Sequence, residues 1–172
     1  MSGTHLKQLC EDTHNRLKKV SMELERFLNH VTLASLVQQS GDPEEYESYY
    51  RNYLSDLRHL LVYSENAYEK LGVCLRRARF NEDFAEEALY QVYHSCVDNF
   101  YYPKGEVYDE DGRYSYTGHD AIIFRKEVTP ALKALTISLS KVFEQMREDL
   151  QYFETDYITK KRMQAGGSAV TM

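Results

Sequence analysis

From Thr4 to Ser40 the apolar positions Leu6, Leu9, Leu17, Val20, Leu24, Phe27 and Val31, with Thr13 in the same series, recur at alternating steps of three and four residues. Charged residues such as Lys18, Lys19, Glu25 and Arg26 fill the gaps. That period keeps one face of an α-helix apolar and predicts a first helix along this segment. Gly41 supplies a C-terminal stop, and Asp42, Pro43, Glu44 and Glu45 follow as N-cap, first-turn proline and two carboxylates at the positive end of the next helix dipole. A second stripe runs through Tyr46, Tyr50, Tyr53, Leu57, Leu60, Ser64, Ala67 and Leu71. Gly72 is carried inside this helix at a cost of about 1 kcal/mol relative to alanine, because Val73 to Arg77 continue in helix-compatible residues and extend it to about Ala78.

Asn81 caps a third helix, with Glu82 and Asp83 in its first turn and Ala85, Leu89, Val92, Cys96 and Phe100 on its inner face, ending before Pro103. Between Lys104 and Val128 the helical period disappears. Val107 to Tyr116 reads as two short β-prone arms about the acidic turn Asp109-Glu110-Asp111-Gly112, and Ala121 to Phe124 returns the chain to the core. Thr129 and Pro130 open a fourth helix whose Leu132, Leu135, Leu139, Val142, Met146, Leu150 and Phe153 share one side, with Lys160, Lys161 and Arg162 suited to its negative end. The expectation is an all-α fold: an antiparallel four-helix bundle with a short β-hairpin or irregular insertion at 104–128 between helices 3 and 4. Residues 1–163 form one domain, and 164–172, rich in small residues, form a disordered tail.

Composition narrows the classes of function. A chain of 172 residues can bury a core without disulfides or a structural metal. The formal charge of -6 argues against a broad phosphate-binding face and hence against nucleic acid as partner. Cys10, Cys74 and Cys96 are widely spaced with no CxxC pair, which reads as buried thiols in a reducing compartment. The N-terminal segment is polar where a signal peptide needs an apolar run, and no stretch is apolar enough to span a bilayer, so a cytoplasmic location is expected. Fifteen tyrosines and no tryptophan suit bundle margins and interfaces alike.

Several constellations in the sequence bear on chemistry. Glu11-x-x-His14 and Asp56-x-x-His59 have the spacing by which di-iron bundles hold metal from one helical face, so a metal-binding four-helix bundle is one alternative. With 27 acidic residues such coincidences are expected among six histidines, and surface histidines are the ordinary reading. His94 and Cys96 with His119 could offer zinc ligands, but only two share a local segment. Asp109-x-Asp111-Gly112 opens like a calcium loop, yet Arg113 replaces the third acid and Asp120 stands where glutamate belongs. Arg113 and His119 are separated by five residues, a spacing used by helical ribonuclease domains of the HEPN type, where such a pair stabilises phosphate and moves protons. Here the pair lies in the non-helical insertion. Arg113, Tyr114, Tyr116, His119 and Arg125 together can stack a ring and neutralise an anion, and they are the candidate binding residues. No catalytic residue, metal ligand or cofactor is assigned.

The blocks Leu57-Arg58-His59-Leu60-Leu61-Val62-Tyr63-Ser64-Glu65 and Leu89-Tyr90-Gln91-Val92-Tyr93-His94-Ser95-Cys96 are followed by Tyr116-Thr117-Gly118 before Phe124-Arg125, and by Gln145-Met146-Arg147-Glu148 leading to Glu154-Thr155-Asp156-Tyr157. In this order they resemble the YpuI-like family of Gram-positive bacterial proteins, over about Asn29 to Lys160. The resemblance implies a bacterial, cytoplasmic protein and transfers no catalytic residue. The leading expectation is a non-enzymatic interaction module in which the Tyr-rich insertion, with tyrosines of the second helix, contacts a protein partner or a second copy in a homodimer. The alternative is a nucleotide- or RNA-processing helical enzyme using Arg113, His119 and Arg125.

Overall fold

The computed structural model describes residues 3–41, 43–110 and 122–170. The chain folds as a helical bundle: α1 Gly3–His30, α2 Leu33–Gln38, α3 Pro43–Arg76, α4 Glu82–Gln91, a π-helical segment Val92–Val97, α5 Asp98–Tyr101, β1 Tyr108–Glu110, β2 Ile122–Phe124, α6 Pro130–Asp149, a 3-10 turn Gln151–Phe153 and α7 Asp156–Val170. The fold is all-α with one small antiparallel hairpin, as the apolar period predicts. Among the described residues no helix is long and apolar enough to cross a membrane.

The stripes read from the sequence are the buried faces. On α1, Leu6, Leu9, Cys10, Thr13, Leu17, Val20 and Leu24 are buried; on α6, Leu132, Thr136, Leu139, Val142, Phe143 and Met146 are. Three helix starts are set by side chains. Pro43 opens α3 with Glu44 and Glu45 in its first turn. Asn81 accepts the Phe84 N–H at 3.1 Å and Thr129 accepts the Leu132 N–H at 3.5 Å, each satisfying a donor that the first turn leaves without an intrahelical partner. Gly72 is inside α3, where a Cβ would lie 2.9 Å from an Arg76 guanidinium nitrogen and 3.4 Å from His14 Nε2.

Four features differ from the sequence-based expectation. The first helix breaks at Thr32, whose hydroxyl accepts the Ser35 N–H at 3.0 Å while Ser35 Oγ accepts the Thr32 N–H at 3.2 Å, a reciprocal capping box that starts α2. The fourth helix breaks after Asp149, where Phe153 N–H bonds to the Leu150 carbonyl at 2.8 Å and tightens the chain into a 3-10 turn. The segment read as a tail is occupied by α7 as far as Val170. The third helix widens over Val92–Val97, so that the adjacent pairs Val92 and Tyr93, then Cys96 and Val97, are all buried.

Candidate functional site

The insertion begins where Pro103 ends the third helix. Glu106 N–H bonds to the Pro103 carbonyl at 3.0 Å, and Glu106 itself has a φ of +49°, a left-handed conformation that costs a residue with a Cβ. Gly105 lies against α3: its N–H donates to Asp56 Oδ2 at 3.0 Å, and a Cβ on it would meet that same oxygen at 2.8 Å and Asn52 Cβ at 2.9 Å. Only glycine permits this approach. Burial holds the Asp56 carboxyl above its ordinary pKa, opposed by the Gly105 N–H and by His59 and Lys104.

The chain then enters β1. Val107 O accepts the Tyr49 hydroxyl at 2.6 Å and the Arg125 N–H at 3.2 Å, closing the base of the hairpin onto α3. β1 pairs antiparallel with β2 in the register Tyr108 to Phe124, Asp109 to Ile123 and Glu110 to Ile122. The strand paired with β1 is therefore Ile122–Phe124, and the Arg113 to Tyr116 stretch read as an arm from the sequence lies outside the described residues. Ile122, Ile123 and Phe124 are β-prone and apolar, and Ile122 and Phe124 reach the core beside Tyr108. At the far end Glu110 receives both guanidinium ends of Arg147, at 2.9 and 2.7 Å. The same guanidinium lies 4.0 Å from the Tyr101 ring centroid. Hydrogen bonding to Glu110 is the main reason the Arg147 pKa is raised.

Beneath the hairpin runs a tyrosine ladder. Tyr46 stacks on Tyr50, Tyr49 meets Tyr50 and Tyr53 edge-on, and Tyr53 abuts Tyr108, with ring centroids 5.5 to 5.9 Å apart. Thr136 spends its hydroxyl hydrogen on the Leu132 carbonyl at 2.9 Å, so Tyr53 is the donor in its 2.6 Å bond to Thr136. Tyr108 donates to the Phe100 carbonyl. Burial pushes the Tyr49 hydroxyl up to about 12 and raises Tyr53 and Tyr108 as well. Tyr49, Tyr50 and Tyr53 are buried, so this part of α3 is core.

What faces outward on the hairpin is Asp109, Ile123 and Arg125. Ile123 is 49% exposed, and Arg125 pairs with Asp109 at 3.0 Å across the strands. Arg125 also lines a cleft of about 610 Å³ with Phe124, Lys126, Pro130 and Lys133. Lys126 is held by Glu45 and lies 5.4 Å from the Tyr46 ring centroid. Arg113, Tyr114, Tyr116 and His119 lie outside the described residues, as do Asp111, Gly112 and Asp120 of the calcium-loop reading.

The histidine readings resolve differently. His14 stacks on Tyr68 with centroids 4.1 Å apart, and its pKa is lowered by burial and then by Arg76 and Lys18. Asp56 is engaged by Gly105, and His59 faces Tyr63. His94 Nε2 donates to the Phe153 carbonyl at 3.0 Å, and Nδ1 meets Asp98 Oδ2 at 3.1 Å, which leaves neither ring nitrogen for a metal or a substrate. Cys96 lies in the core with its thiol pushed by burial to about 12. Among the described residues no three His, Cys, Asp or Glu side chains converge on a metal-sized site. The strut from His94 to the break after α6 was missed from sequence, although the four-residue spacing of His94 and Asp98 was its visible half.

The geometry defines a helical-bundle protein that carries a hairpin fastened to its flank. The chain belongs to the family described as "Protein of unknown function (DUF3907)", whose model matches residues 10–159. It is similar to "Uncharacterized protein YpuI" of Bacillus subtilis (strain 168), with 38% identity over 154 residues, covering 90% of this chain and 84% of that protein. This bears out the YpuI-like resemblance. No solved structure matches the chain.

Proposed function

We propose that this protein is a non-enzymatic interaction module, in which the bundle is a scaffold and the 104–128 insertion contacts a protein partner or a second copy of the chain. One observation carries the reading: the insertion is tied down at its base by Asp56 to Gly105 and Tyr49 to Val107 and at the far end of β1 by Arg147 to Glu110, while Asp109, Ile123 and Arg125 face solvent. A hairpin fixed in advance loses little conformational entropy on binding. Its outer face offers an apolar branched side chain beside an arginine, the mixture that anchors interfaces. Arg113, Tyr114, Tyr116 and His119 follow directly from this face along the chain and extend the contact. The site of action on this reading is the cytoplasm.

The reading of Arg125 as part of an anion-processing site draws on the cleft it shares with Lys126 and Lys133. Against it, Asp109 and Glu45 already answer two of those three cations. The two readings part on experiment. Replacing Tyr114→Ala with Tyr116→Ala is expected to abolish self-association in sedimentation velocity, or capture of a protein partner, with the thermal transition unchanged. Unaltered association and capture would refute the interaction module, and saturable binding of ATP in calorimetry that Arg125→Glu removes would establish the anion site instead.

A further inference from the structure

We propose that the cleft between α3 and the α4–π-helical segment binds a small hydroxylated carboxylate, with Lys70 taking the carboxylate. The cleft has a volume of about 210 Å³. Ala67 on α3 and Ala88 on α4 both line it, and because neither side chain extends beyond Cβ the two helices leave a hollow between them. At about 30 Å³ per water this is room for about seven waters, or for a ligand of roughly seven non-hydrogen atoms.

The polar groups of the cleft are of two kinds. Lys70 is held in place by neutral partners: its ammonium donates to Gln91 Oε1 at 2.6 Å and lies 5.6 Å from the Phe84 ring centroid. Arg77, two turns further along the same face of α3, lies over the same ring at 4.7 Å. Among the described residues no carboxylate pairs with either cation, although the chain carries 27 acidic residues. Lys70 therefore keeps its charge and its remaining donors for an incoming anion. One ammonium inside the cleft matches a single negative charge, which selects a carboxylate over a doubly charged phosphate. Around it, the Tyr63 hydroxyl, the Asn66 amide and the Ser95 hydroxyl line the cleft and make no hydrogen bond among the described residues. Each can donate and accept, so together they answer hydroxyl groups on the body of the ligand. A plain alkyl chain would leave them unpaired, and the site discriminates against it for that reason. Ser95 belongs to the π-helical segment Val92–Val97, a departure from α geometry that recurs at functional sites.

The test uses the native full-length protein and three probes: racemic glycerate, butyrate and inorganic sulfate. Heteronuclear NMR follows the side-chain amide signals of Asn66 and Gln91 through each titration. Glycerate is expected to shift both signals saturably, and butyrate to need roughly fivefold more for the same shift, because it leaves the cleft's hydroxyls and amide unpaired. Sulfate at the same concentration should leave both signals in place. Lys70→Gln removes the charge but keeps a polar side chain beside Gln91, and should abolish the glycerate response with the melting temperature unchanged. If that variant does not fold, Asn66→Asp sets a like charge beside the carboxylate at an exposed position and should abolish the response at Gln91. No saturable shift with glycerate, or an undiminished response in the folded variant, would overturn the site. So would sulfate acting as well as glycerate, which would mean an adventitious ion only, and butyrate binding as tightly as glycerate would overturn the assignment of a hydroxylated ligand. These outcomes concern the α3–α4 cleft alone, so this site and the hairpin interface stand or fall separately.

Discussion

Arg147 grips Glu110 through two parallel hydrogen bonds of 2.9 and 2.7 Å, and this one contact fixes the far end of the hairpin to α6. Glu110 is the last residue of β1, so the clamp holds the end of that strand. Truncation by Arg147→Ala leaves a partly buried carboxylate without its partner and removes the cover over Tyr101. The expected cost is about 2 kcal/mol, read as a lower urea midpoint with unchanged slope. Arg147→Lys should recover less than half of it, because an ammonium cannot reproduce the planar two-pronged match. Full recovery by lysine would show that charge alone holds the strand.

Asp56 gives a pH dependence with a definite sign. Its carboxyl is held above the ordinary value of 3.8 by burial, so between that value and the raised one the folded chain keeps a proton that the unfolded chain has released. Folding stability contributed by Asp56 therefore falls as pH rises through that window, and is constant above it. Asp56→Asn keeps a carbonyl oxygen for the Gly105 N–H and cannot ionise. The variant should gain stability relative to wild type as pH rises from 3.5 to 7, and be at least as stable at pH 7. A difference that does not vary with pH would contradict the assignment.

Glu106 occupies a left-handed conformation at φ +49° with its side chain exposed. Asparagine tolerates that region better, and Glu106→Asn is expected to stabilise the protein by about 0.5–1 kcal/mol. Gly105→Ala, one residue earlier, should do the reverse by at least about 1 kcal/mol, since its Cβ would displace Asp56. Paired urea titrations of the two variants check both signs at once.

His94 ties the π-helical segment to the break between α6 and α7 by donating to the Phe153 carbonyl. His94→Ala leaves that carbonyl without its donor. Amide exchange over residues 150–157 should rise, while exchange in α2, which starts at the Thr32 capping box and packs on α3, stays at its wild-type rate. Equal acceleration in both regions would mean that His94 supports the whole fold and not this joint.

The helix starts at Pro43, Asn81 and Thr129 were legible because a single side chain, or proline's fixed φ, decides each one locally. The breaks at Thr32 and after Asp149 were not. Val31 to Leu36 and Leu150 to Tyr157 keep apolar steps that a continuous helix also satisfies, so the stripe passes through both breaks without a mark. The widened turn at Val92–Val97 hides for the same reason, in a run where both faces are apolar. Composition drew attention to the tyrosines but could not say which way they face: Tyr49, Tyr50, Tyr53 and Tyr108 are core. Of the five candidate binding residues only Arg125 falls among those described, and it is exposed and paired with Asp109. The pairing of β1 with Ile122–Phe124 was not legible because Tyr114 and Tyr116, outside the described residues, have as much β propensity as Ile122 and Phe124. What decides the position of Ile122 is a long-range fact, the apolar floor that receives it.

The interaction surface is tested most directly by a photo-crosslinking amino acid placed at position 123, on the outer face of the hairpin, and at position 62 as a control, both positions being about half exposed at 49% and 51%. Irradiated in cells of the source organism, the probe at 123 should trap a protein partner or a second copy of the chain, and the probe at 62 should not. Equal trapping at the two positions, or none at 123, would contradict the claim that the fastened hairpin is the surface this protein presents.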